Sequence, residues 1–143
     1  MTAKETSTID LASLDTVKAS NEGCELELRH PATKKALGQF ITILGPDNDR
    51  LKELRRERAD AQIAKRLTSV KSGKDVEPLT AEQVEEQEIE LLAACTIGFR
   101  GINWGGSEFK FTIPNAMKLY RTFPWIKDQV NSGIADISNF IKG

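Results

Sequence analysis

At Gly45-Pro46 the chain changes its hydrophobic period, and that change limits it to folds that combine sheet and helix. Upstream, Cys24, Leu26 and Leu28 alternate with Glu25, Glu27 and Arg29, the pattern of a half-buried strand. After Gly38 a second apolar run holds Phe40, Ile41, Ile43 and Leu44, and the intervening segment from His30 to Lys35 carries turn formers. The two runs predict a β-hairpin. Gly45-Pro46-Asp47 ends the second strand, and Asp47 is expected to cap the helix that follows.

That helix should run to about Val70. Leu51, Leu54 and Ala61 share one side of it, whereas Ile63, Leu67 and Val70 have rotated to another, so it is expected to change packing partners midway. Ser72 to Pro78 is a polar linker, and Thr80 with Gln83 has the form of a capping box that opens a second helix at Ala81. Val84, Leu91, Leu92, Cys95 and Phe99 fall near one face of this helix, with Glu82, Glu85, Glu86 and Glu90 around them. Arg50 to Lys74 is rich in bases, while Glu77 to Glu90 carries acids and no base. Antiparallel pairing of the two helices is one reading. Two independently solvated faces is the other, because a surface ion pair contributes only about 0–1 kcal/mol.

Gly98, Gly101, Gly105 and Gly106 cluster where the second helix must end, and Ile102 to Ile113 predicts a short hairpin whose second strand starts at Glu108. Thr112 and Pro114 suit the start of a helix carrying Ala116, Met117, Leu119 and Tyr120, and Pro124 restarts helix after Phe123. Ile126, Val130, Ile134, Ile137 and Ile141 form one narrow stripe of a last helix. Near the start, Ile9, Leu11, Leu14 and Val17 are expected to dock a turn or two of helix on the core before Asn21-Glu22-Gly23 stops it. The expected fold is α+β: an N-terminal β-hairpin, two long charged helices, a short second hairpin and a C-terminal pair of helices. At 143 residues one core suffices, so residues 9–143 read as a single domain behind a flexible tail over residues 1–8.

An apolar fraction of 39% and a charged fraction of 29% suit a folded chain. The net charge of -1 gives no general attraction to nucleic acid or to an anionic membrane. Cys24 and Cys95, with His30 alone to help, make neither a zinc pattern nor a disulfide framework, and they read as cytosolic thiols. No apolar run approaches the roughly 20 residues of a spanning helix, and Met1 to Ser7 is polar rather than signal-like, so a cytoplasmic protein is expected.

The single histidine stands beside a turn proline and faces no recognisable nucleophile, and the neighbours Glu85 and Glu86 point apart on a helix. The glycine-rich stretch around Trp104 lacks the lysine and the strand-to-helix setting of a phosphate loop. We therefore expect no catalytic residue, cofactor or metal. Trp104, Lys110 and Arg121 could make a stacking platform for nucleic acid, but such proteins also carry a net basic groove. Large aromatics and end-of-chain apolar stripes serve either cores or interfaces. On that basis, and from the two-faced helix running from Leu51 to Val70, Leu51, Leu54, Trp125, Ile134, Ile137 and Phe140 are the candidate protein-binding residues.

Several phrases resemble a family of tail assembly chaperones from long-tailed bacteriophages and prophages. They are the segment Leu11 to Leu14, Glu27-Leu28-Arg29-His30-Pro31-Ala32-Thr33, Thr42-Ile43-Leu44-Gly45 and the charged helix from Asp47. The clearest are Phe111-Thr112-Ile113-Pro114-Asn115-Ala116, the run from Phe123 to Val130, and Asn139-Phe140. The resemblance implies a helper in the cytoplasm of the bacterial host. It would bind the tape measure protein, keep that long helical chain soluble and help recruit tail tube protein around it. Such families commonly have a longer frameshifted form, a further candidate partner, and self-association is open to the chain. Two other roles compete: a structural tail or connector component retained in the virion, and a small regulatory nucleic-acid binder using the basic stretch from Arg55 to Arg66.

Overall fold

The structure, a computed structural model, describes residues 8–141. The tail expected over residues 1–8 lies, apart from Thr8, outside the described residues. Strands β1 (Cys24–Arg29) and β2 (Ala36–Ile43) form the predicted antiparallel hairpin, with Leu26 opposite Ile41 and Cys24 opposite Ile43. His30 holds its turn together. Its Nδ1 accepts the backbone N–H groups of Ala32 and Thr33, each at 3.1 Å, while its own N–H donates to the Lys35 carbonyl.

A third strand, β3 (Thr96–Arg100), adds to the free edge of β2, giving an antiparallel sheet of order β1-β2-β3. This corrects the expected helical stripe, which counted Phe99. The strand-prone residues after Cys95 satisfy backbone groups that β2 would otherwise leave unpaired, and Phe99 stands opposite Ile41 in the ladder. On the open face of the sheet Arg100 crosses to Glu25, and its guanidinium lies 3.9 Å from the Phe40 ring centroid. The Arg100 hydrogen bond holds the Glu25 carboxyl below the usual carboxylate range.

Helix α1 (Thr16–Glu22) follows a short 3-10 turn over Leu11–Leu14. Contrary to expectation these segments do not dock their apolar residues: Ile9, Leu11, Leu14 and Val17 are 66%, 78%, 46% and 41% exposed. Ser20 instead is the buried residue of α1. Helix α2 (Asp49–Ser72) is capped by Asn48 rather than Asp47. Asn48 is buried, where an amide is useful because it both accepts and donates: Oδ1 accepts from the Leu51 N–H at 2.9 Å and Nδ2 donates to the Gly45 carbonyl at 2.6 Å.

Helix α3 (Ala81–Ala94) opens on the predicted Thr80–Gln83 capping box. The second hairpin is shorter than expected, with β4 (Asn103–Trp104) and β5 (Ser107–Glu108) of two residues each. Phe109 still donates its N–H to the Ile102 carbonyl at 2.8 Å, and Phe109 and Phe111 place their rings against Phe99. Thr112 then caps α4 (Ile113–Thr122), and α5 (Pro124–Ala135) follows. The expected last stripe is cut at Asp136, whose carboxylate accepts from Ser138 and starts a 3-10 turn over Ile137–Asn139.

Leu28, Ile41 and Ile43 of the sheet meet Ile89 and Leu92 of α3, Leu119 and Tyr120 of α4, and Ile126, Val130 and Ile134 of α5 in one core. Burying each such side chain contributes roughly 1.5–3 kcal/mol. Gly133 lets α5 lie close to the sheet, since a Cβ there would come within 3.0 Å of Ile43 Cδ1 and 3.2 Å of Leu26 Cδ2.

Candidate functional site

The base of α2 belongs to the body of the protein and the rest does not. Leu51 is 3% exposed, within the core. Leu54 is half-buried and shares an apolar groove of about 470 Å³ with Ala94, Ile113 and Met117. One turn further, Arg58 donates to the Gln87 carbonyl at 2.9 Å and pairs with Glu90 at 3.3 Å. These partners fall along α3 as they rise along α2, so the two helices run antiparallel where they touch. Past Arg58, every residue of α2 except Ser69 is exposed.

The remaining helix stands as a charged arm. It ends at Gly73, whose φ of 71° is the left-handed region and whose N–H donates to the Ser69 carbonyl. The returning linker from Lys74 to Glu77 runs beside Ala64, Thr68, Ser69 and Ser72, leaving an open groove of about 510 Å³. Helical spacing puts Ile63, Leu67 and Val70 on the opposite side of the arm. They are 55%, 60% and 81% exposed. The expected change of packing partner midway is therefore corrected: among the described residues this second row buries itself against nothing.

Charge follows a division that the sequence did not reveal. Most of the acids of α3 that form ion pairs turn to the C-terminal helices, Glu86 to Arg121 and Glu88 to Lys127, and Arg58–Glu90 is the pair that joins α3 to α2. The other bases of α2 keep their charge toward solvent. Among the described residues none of Lys52, Arg55, Arg56, Arg66 and Lys71 forms an ion pair.

The residues singled out from the sequence do not form one patch. Leu51 and Ile134, at 3% and 5% exposure, are core and offer almost no area to a partner. Trp125 opens α5 and continues a chain of aromatic contacts through Phe123, Trp104 and Phe109, with centroids 4.9–6.2 Å apart. Ile137 and Phe140 follow the other end of α5 and are half-buried. Trp104 makes T-shaped contacts with Phe109 and Phe123 and has Lys118 Nζ 5.2 Å from its ring centroid, and Arg121 pairs with Glu86.

No known family model, curated protein or solved structure matches the chain. What it can do rests on its own surfaces. Among the described residues no group of three His, Cys, Asp or Glu is placed to hold a metal, and no helix is long and apolar enough to cross a membrane. Cys24 and Cys95 are free thiols, and burial raises the pKa of both, which disfavours the reactive thiolate. Besides the exposed Ile9, Leu11, Leu14 and Val17 near the start of the chain, the apolar row Ile63, Leu67 and Val70 stands exposed on one face of a long helix. Its signal in the sequence was the rotation of the apolar pattern halfway along α2, because a helix whose apolar positions change side cannot bury both against one body.

Proposed function

We propose that this chain is a tail assembly chaperone of a long-tailed bacteriophage or prophage. In the host cytoplasm it binds the tape measure protein, keeps it soluble and helps recruit tail tube subunits. The observation that carries this reading is the arm of α2, which presents Ile63, Leu67 and Val70 to solvent at helical spacing. A helper for a long amphipathic chain needs an apolar row accessible from outside a well-packed body, and an α-helical client can lay its own apolar face along such a row. Because the arm is anchored through Leu51 and Arg58, presenting the row leaves the core intact. The resemblance of the sequence to tail assembly chaperones supplies the client.

The test is co-expression with a phage tape measure protein. The soluble fraction of that protein should rise, and the two should elute together from gel filtration; an Ile63→Asp, Leu67→Asp, Val70→Asp variant should lose both effects. No gain in solubility and no complex would overturn the reading. Peptides of this chain in purified particles would replace it with a structural tail component.

A further inference from the structure

We propose that the partner of the arm is an acidic amphipathic helix, one that sets apolar side chains on Ile63, Leu67 and Val70 and carboxylates against the bases that rim them. This rests on reading the arm as a binding surface and names the chemistry it selects. Arg56 continues the row toward the body, Arg66 flanks it on one side and Lys71 on the other, with Asp60 the one carboxylate sharing that face between Arg55 and Lys71. Among the described residues these bases have no ion-pair partner, although acids are plentiful on α3. Of the acids on α3, Glu86 and Glu88 pair with the C-terminal helices and Glu90 with Arg58 at the base of the arm, while Glu82 and Glu85 pair with none of these bases.

Three aliphatic side chains at a spacing of four and three residues make a seam one helix wide, the form in which helices pack side by side. A membrane-surface helix presents a broader apolar face with aromatic residues at its edges, and a nucleic acid would cover the bases but leave the aliphatic row in water. A complementary rim of carboxylates satisfies both parts of the surface. It also sets specificity, since a basic helix brought to the same row would place like charges together.

The experiment uses the full chain and two labelled synthetic helices of about 20 residues, long enough to hold helical structure. Both carry leucines at the same seam positions, one flanked by glutamates and the other by lysines. In fluorescence anisotropy at low salt the glutamate peptide should bind at least about tenfold more tightly than the lysine peptide, and added salt should narrow the gap. Leu67→Asp should abolish binding, and Arg66→Glu with Lys71→Glu should invert the preference. These positions are exposed, so circular dichroism of the variants should match the parent and separate lost binding from lost fold. Equal binding of the two peptides, or binding that survives Leu67→Asp, overturns the inference. So does tighter binding to phosphatidylserine vesicles or duplex DNA than to the acidic peptide. A concentration-dependent dimer abolished by Leu67→Asp would assign the row to a second copy and also overturn it. Peptide preference without any gain in tape measure solubility upholds this inference while removing the chaperone reading. The reverse combination removes the inference alone.

Discussion

Tyr120 donates its phenolic hydrogen to Thr96 Oγ1 across 2.6 Å in the core, tying α4 to the start of β3. The direction follows from counting hydrogens. Thr96 has one hydroxyl hydrogen and gives it to the Leu92 carbonyl at 2.8 Å, so its oxygen can only accept from Tyr120. Burial pushes the Tyr120 pKa upward, keeping the donor protonated at any ordinary pH.

Removing either partner should therefore cost different amounts. Tyr120→Phe deletes the donor and leaves Thr96 still bonded to Leu92, a loss of about 1 kcal/mol. Thr96→Val strands a buried phenol and should cost about 1–3 kcal/mol. The double variant should be less destabilised than the sum of the two, as read by urea unfolding. Strict additivity would mean the bond contributes nothing in solution.

Gly45 is the tightest contact between α1 and the end of the sheet. A Cβ there would sit 2.5 Å from Ser20 Oγ and 2.8 Å from Ser20 Cα, and backbone cannot yield as a side-chain tip can. Gly45→Ala should thus destabilise by about 1–3 kcal/mol, the usual cost of overpacking. Gly133→Ala should cost less, because the atoms it meets are the methyl ends of Ile43 and Leu26. The opposite order in urea melts would show that α1 does not rest on Gly45.

The two thiols should differ sharply in reactivity. Cys24 is half-buried, whereas Cys95 is fully buried; burial raises its pKa more than the Asn48 amide at 3.4 Å lowers it. With a chromogenic disulfide at about pH 8, Cys24 should react first and Cys95 only at the rate of global unfolding. Denaturant should make both react at once. A native Cys95 as fast as a free thiol would contradict the packing at the start of α2.

At Asp136 the Ser138 hydroxyl and N–H, at 2.6 and 3.0 Å, hold the carboxyl below its usual range. A folded pKa below the unfolded one contributes stability fully present above the unfolded value, about 3.9, and lost as pH falls through the folded value. The stability advantage over Asp136→Asn should hence shrink as pH is lowered into the acid range. Observing the carboxyl titrate by NMR at or above about 3.9 would show that this cap does not form.

Element type was largely legible in the amino-acid order, because it depends on neighbours within a few positions. Alternation from Cys24 to Arg29 specified β1, the Thr80–Gln83 pair specified the start of α3, and Thr112 with Pro114 specified that of α4. Partner choice was not. Whether Phe99 continues a helix or joins β2, whether Leu11 docks, and whether Asp47 or Asn48 caps α2 depend on groups brought near from distant parts of the chain. The same holds for the candidate site. The sequence by itself determined that Ile63, Leu67 and Val70 share a helical face, and only the tertiary structure decided that the body ends at Arg58 and leaves that face in water, since burial is a property of what packs against a side chain.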